Sequence, residues 1–216
     1  MYIFAAQLFN PMKSYCLIIL FVLTAVAQPS AKTYMEKHIP TPNYAKNKTN
    51  EVLGIVLHHT AQATLEESLK ILTSPEKKAS THVVIDTDGT RYIMAEPNVV
   101  TYHAGLSIMN GREHCNFFTI GIEFQGNTLE TPLTDDQIAS GIQYVLPIMA
   151  QYHIPWENIV THGMIRTAYI ELHPEMKSIA KIDITLVEYT RFMQALLIYK
   201  YKSLLYFLCC HRQVTS

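Results

Sequence analysis

Apolar, strand-like runs in this chain end repeatedly on residues that can hold a metal or move a proton. GIVLHHTA, Gly54 to Ala61, carries such a run into His58 and His59, and NIVTHG does the same with His162. TIGIEFQG sets Glu123 inside an apolar strand, where a glutamate is poor β material and costly to bury unpaired. In AKIDIT, Lys181 and Asp183 stand two apart on an extended segment, so both project from one face. His58, His162 and Asp183 together leave one position open on tetrahedral zinc, the catalytic pattern and not the closed structural one. Beside such a metal, Glu123 suits a general base and Lys181 an oxyanion stabiliser. Any one of these residues alone is more often a core or surface residue. Their recurrence at the ends of extended segments favours a site.

Alternation along each strand divides the candidates. On Gly54–His59, Val56 and His58 share one face, and Leu57 and His59 share the other. At most one of the paired histidines can therefore serve the metal. On the Glu123 strand, Ile120, Ile122 and Phe124 form an apolar face; Thr119, Gly121, Glu123 and Gln125 form the second. That second face either meets solvent or lines a cavity.

The positioning elements are legible from pattern. Thr64 with Glu67 is a capping box before a short helix to Leu72, and Thr134 with Gln137 opens a long one. The long helix has an apolar stripe of Ile138, Ile142, Val145, Leu146 and Met149, weakened by Gly141 and Pro147. Thr185 with Glu188 predicts a third box, for a closing helix to about Ile198. THVVIDTDGTRYIMAE reads as a hairpin turning at Asp88-Gly89. Strands alternating with helices, plus a hairpin, predict an α/β (α+β) domain with a central mixed sheet flanked by helices. Residues 28–50 read as a linker or N-terminal arm, 51–198 as the domain, and 199–216 as an atypical tail.

A formal net charge of −1 with 49% hydrophobic residues argues for a globular body and against nucleic-acid binding. MKSYCLIILFVLTAVA, from Met12, has a lysine, an apolar run and Ala25-Val26-Ala27, the layout of a cleaved signal peptide ending at residue 27. It implies export to a periplasmic or secreted location, with Met12 a candidate start. It also leaves no stable transmembrane helix expected in the mature chain. Cys115, Cys209 and Cys210 then remain, which is no disulfide framework. The tail is compatible with an extra helix, a membrane-surface contact or a non-native reading frame.

VLHHTA, THVVIDTDGT, YHAG, GREHCNFFTIGIEFQGN, IVTHG and KID occur in this order. They resemble the AmpD-like zinc N-acetylmuramoyl-L-alanine amidases, a superfamily shared with peptidoglycan recognition proteins and phage lysozyme-type amidases. The resemblance spans roughly Val52 to Phe192, and the block from Gly111 to Asn127 is its most specific part. It implies the fold of those families. It also implies hydrolysis of the amide between the lactyl group of N-acetylmuramic acid and L-alanine, in peptidoglycan or muropeptides. Carried over by position, His58, His162 and Asp183 fall on the zinc ligands, Glu123 and Lys181 on the catalytic pair, and His103 and Arg112 near the substrate groove. His59 is not a ligand.

Two departures are visible. The stretch GMIRTAYIELHPEMKSIA reads as a long loop where the family has a short one, and Ile184-Thr185 replaces Pro-Gly after the aspartate. His173 in that loop is therefore a rival third ligand. Thr81 stands where phage-type members carry a catalytic tyrosine, which leaves Glu123 to act. The alternative function is a non-catalytic peptidoglycan-binding module on the same fold.

Overall fold

The computed structural model describes residues 32–179 and 183–211. The expected leader and Lys181 lie outside these residues, as do the side chains of Cys209 and Cys210. Contacts divide the chain into Tyr34–Tyr199 and a second unit of Met1–Thr33 with Lys200–Ser216. Among the described residues, no helix is long and apolar enough to cross a membrane.

The main unit opens with β1 (Glu36–His38), β2 (Tyr44–Thr49) and β3 (Gly54–His59), followed by helix α1 (Leu65–Thr73). β4 (Val83–Ile85), β5 (Arg91–Ile93), β6 (Val99–Thr101), β7 (Ile108–Met109), β8 (Arg112–Glu113) and β9 (Thr119–Phe124) come next. Helix α2 (Asp135–Tyr152), β10 (Ile159–Thr161) and α3 (His162–Leu172) follow, and α4 (Leu186–His211) belongs to this unit as far as Tyr199. Six strands form one mixed sheet in the order β1-β5-β4-β9-β3-β10. β3 pairs in parallel with β9 on one side and β10 on the other. Both its faces are covered, which is why its sequence is a nearly continuous apolar run.

Ile55 and Leu57 of β3 join Ile120, Ile122 and Phe124 of β9 in the larger core, against Ile142 and Val145 of α2 and Phe192 of α4. The opposite face, with Val56, packs on Ala104, Met109, Cys115, Phe118 and Ile165. Two of the three capping boxes form as expected, at Thr64 and Thr134. The third forms by half. Thr185 Oγ1 accepts the Glu188 N–H, but the buried Glu188 carboxylate accepts from the Leu133 N–H and Arg191. The Thr185 N–H donates to Thr128 Oγ1 instead.

Two stretches differ from the sequence reading. The N-terminal segment read as linker or arm contributes strands: β1 adds to β5, and β2 pairs with β6. Their residues are polar and exposed, so no hydrophobic alternation announced them. The long loop after His162 is mostly helix α3. Its Gly163, Ile165 and Thr167 lower helix propensity, and packing of Ile165 and Tyr169 overrides it.

Gly141 lets α2 approach the sheet. A Cβ there would lie 2.9 Å from a Phe192 ring carbon and 3.1 Å from Phe124. Both rings are fully buried and cannot swing aside. Gly141→Ala gains about 1 kcal/mol of helix propensity against about 1–3 kcal/mol of overpacking. A net loss is expected, seen as a lower urea midpoint at unchanged slope. A midpoint equal to or above that of the parent protein contradicts the close approach.

Candidate metal centre

β9, β3 and β10 run in parallel, so their carboxyl ends reach one edge of the sheet together, where open α/β sheets bind ligands. Register fixes who meets whom. Glu123 lies directly across from His58. Thr161 pairs with Leu57, so the next residue, His162, falls beside His58. The two imidazole centroids are 4.8 Å apart. Asp183 enters just ahead of α4. Its Oδ2 lies 2.8 Å from His162 Nδ1 and 3.2 Å from His58 Nδ1. Its Oδ1 accepts the backbone N–H of His59 at 2.8 Å.

One ligand atom from each of His58, His162 and Asp183 lies within 4.8 Å of the others, and all three residues are buried. Two imidazoles and a carboxylate converging at this spacing fit a divalent ion of zinc's preference, with three protein ligands and one position left for solvent or substrate. Burial pulls the Asp183 pKa up. The two imidazoles outweigh that pull and hold the carboxyl well below the usual carboxylate range, so it is ionised at neutral pH as a ligand must be.

The paired histidines divide as strand alternation requires. His58 turns to the metal set. The His59 ring turns the other way, where its Nδ1 accepts from the Thr128 hydroxyl at 2.8 Å and the Thr128 N–H at 3.2 Å. His59 still contributes, through its backbone N–H on Asp183. Its neighbour Thr60 closes the turn by donating to Phe124 O.

His103 lies behind the metal set, 8% exposed, with Nδ1 3.1 Å from His58 Nε2. Its ring fills the space over Gly121, where a Cβ would come within 2.5 Å of His103 Cγ. The face of β9 that carries Gly121 and Glu123 is thus covered at Gly121 by a third imidazole. Burial first, then His58, His82 and His162, hold His103 well below the usual histidine range. Arg112 stands on the exposed rim, paired with Glu51 through Nη1 at 2.7 Å and stacked 4.4 Å from the Phe118 ring centroid. His173 is not in the cluster. It caps the end of α3, stacks on Tyr169 at 4.3 Å and meets Glu113 at 3.2 Å.

Residues without a sequence signal complete the site. Thr128 holds both the His59 ring and the Thr185 N–H. Arg166 lies one helical turn beyond His162, and its Nε and Nη1 are buried with no hydrogen-bond partner. Arg91, Arg112 and Arg191 all pair with carboxylates. The i, i+4 spacing of His162 and Arg166 was hidden because their helix read as a loop. A groove of about 480 Å³ borders Asp183 and is lined by Gly163, Met164, Thr167 and Ala168 of α3.

The model of the N-acetylmuramoyl-L-alanine amidase family matches residues 48–176. The chain belongs to this family. It is 39% identical over 90 residues to the 1,6-anhydro-N-acetylmuramyl-L-alanine amidase AmpD of Haemophilus influenzae, covering 40% of this chain and 47% of that protein. It is 30% identical over 127 residues to the N-acetylmuramoyl-L-alanine amidase AmiD of Escherichia coli, covering 51% of this chain and 45% of that one. The matched region thus spans about half the length of these curated relatives. A selenomethionine derivative of AmpD superposes with a TM-score of 0.55 at 20% identity over 77% of this chain and 99% of that chain, which supports the fold. Escherichia coli AmiD, in complex with anhydro-N-acetylmuramic acid-L-Ala-D-gamma-Glu-L-Lys, gives 0.50 at 25% identity over 57% of this chain and 53% of that one. The amidase-type mixed sheet expected from the sequence is the one observed.

Two outcomes follow from this geometry. Asp183→Ala should release metal in mild chelator while His173→Ala keeps it; metal content of the two purified variants decides, and the reverse pattern would place the third ligand at His173. Burial also lowers the pKa of His82 to about 4, against a weaker opposing bond to Val99 O. Its folded pKa lies below its unfolded value of about 6.5. The unfolded chain therefore takes up the proton first, and stability falls as pH drops from about 6.5 to about 4, by a contribution on the order of 3 kcal/mol. Nitrogen-15 NMR should find the His82 ring neutral at pH 5.5; a protonated ring there contradicts the burial argument.

Proposed function

We propose that this protein is a zinc-dependent amidase that cuts between the lactyl group of N-acetylmuramic acid and the L-alanine of the stem peptide. The buried His58–His162–Asp183 set, with Glu123 in register beside His58, carries this reading. Family membership and the muropeptide in the AmiD complex support the substrate class.

His58, His162 and Asp183 would hold the zinc. When bound, zinc supplies Lewis acidity and an acidified water at neutral pH. Glu123, half-buried near the end of β9 and in register with His58, is assigned the general-base role: it would take a proton from the attacking water and pass it to the leaving amine. Lys181, two residues before Asp183, is assigned to the developing oxyanion. The groove along α3, lined by Gly163, Ala168 and Asp183, is proposed to take the peptide side of the substrate. Arg112 is proposed to meet stem-peptide carboxylates from the rim. Its pair with Glu51 is exposed and screened by solvent, so a substrate carboxylate can replace Glu51. The Met12–Ala27 segment supports a further proposal, export to the periplasm or beyond.

A binding module without catalysis is the alternative, and the convergence of the ligands beside Glu123 disfavours it. Incubation of the zinc-loaded protein with an anhydro-muramyl tripeptide should give intact sugar and free stem peptide, identified by mass. Soluble fragments should be cut, and comparing their rate with that on sacculi measures the preference. Cleavage inside the peptide, or no cleavage with zinc bound, contradicts the proposal. Glu123→Gln should keep zinc and lose about 10²–10⁴-fold in turnover; a rate within a few fold of the parent removes Glu123 from the base role.

A further inference from the structure

We propose that His103 is a positioning residue: it accepts a hydrogen bond from His58 Nε2 and so leaves the His58 Nδ1 lone pair for the metal. The inference rests on the zinc reading above and deepens it.

The argument starts at a backbone carbonyl. His103 Nε2 lies 3.3 Å from Thr119 O and 3.3 Å from Thr119 Oγ1. A carbonyl oxygen only accepts. The Thr119 hydroxyl already donates, to Cys115 O at 2.7 Å. His103 Nε2 must therefore be the donor. A neutral imidazole that donates at one nitrogen accepts at the other, which makes His103 Nδ1 an acceptor. Its partner at 3.1 Å is His58 Nε2, which must then carry a proton. With its proton held on Nε2, His58 turns Nδ1 to the side where His162 Nδ1 and Asp183 Oδ2 converge, so a bound metal would take the Nδ1 lone pair and any proton shared there with the Asp183 carboxylate would leave. A fixed carbonyl on β9 thus sets the tautomer of a metal ligand on β3, by way of one intervening ring.

Two further contacts hold that ring. Gly121 leaves room for it and for nothing larger, since a Cβ would overlap His103 Cγ, Cβ and Nδ1. His82 packs edge-on, 5.9 Å between centroids. His82 is itself locked: its Nδ1 accepts from the Gly121 N–H at 3.0 Å and the Thr101 hydroxyl at 3.1 Å, and its Nε2 donates to Val99 O at 2.9 Å. His103 therefore acts through His58 and not by touching substrate.

Zinc affinity, measured by chelator competition, is the test. His103→Leu fills the space without an acceptor and should weaken zinc binding about 10–100-fold. His103→Asn places an amide oxygen near the Nδ1 position and should recover most of that loss. Gly121→Ala, which displaces the ring, should weaken zinc in the same direction. Long-range proton–nitrogen NMR of the zinc-loaded parent protein should show both His103 and His58 protonated at Nε2, and this reading stands even if a variant fails to fold. His103 protonated at Nδ1, or a His103→Leu affinity within twofold of the parent, overturns the proposal while leaving the zinc site intact. A parent protein that binds no zinc overturns the metal reading first and this inference with it.

Discussion

The Asp183 carboxylate is held from three directions, and the rest of the site depends on it. One oxygen takes the His59 N–H, and the other lies within hydrogen-bond distance of both the His58 and His162 rings. An isolated buried carboxylate is penalised by several kcal/mol. Here the compensating groups come from β3 and from the first residue of α3. A single side chain therefore ties two neighbouring strand ends to the lead-in of α4. The chain leaves Asp183 through Ile184, whose φ of +52° is a left-handed conformation that a β-branched residue rarely adopts. Such strain costs about 1–3 kcal/mol. Burial of Ile184 in the main core and the Thr185–Thr128 bond offset it. The same Thr128 hydroxyl meets the His59 ring, so the end of β3 beside His58 and the turn after Asp183 share one anchor.

Parallel pairing explains why the site lies where it does. Three adjacent strands that begin at one edge must end together at the other. Residues at the same register level then stand side by side without any long loop to place them. Glu123, His58 and His162 are such a row. The apolar faces of the same strands fill the core against α2 and α4, so the row is positioned by the buried core. Preorganised groups on strands need little movement to meet a reacting bond.

Much of this was legible because strand alternation is strict. It separated His58 from His59, and it put Glu123 and Gly121 on the face opposite Ile120 and Ile122. The Asp88-Gly89 turn and two caps also carry local chemistry that sequence reveals. What stayed hidden depends on packing. The strands at Glu36 and Tyr44 have no apolar alternation, and α3 has weak propensity, so its turn from His162 to Arg166 went unseen. For His103 the family resemblance gives only a place near the substrate groove and no neighbour for its ring. Only the fold shows that its ring fits against Gly121, a vacancy visible in sequence but without an identifiable occupant. The capping role expected of Glu188 failed for a similar reason, since a buried tertiary donor, the Leu133 N–H, competed for the carboxylate.

The most direct test is anomalous diffraction at the zinc edge from crystals of the zinc-loaded protein. One peak per chain is expected, bonded by Nδ1 of His58, Nδ1 of His162 and a carboxylate oxygen of Asp183. No peak at this position, or a peak beside His173 and Glu113 instead, would contradict the metal centre.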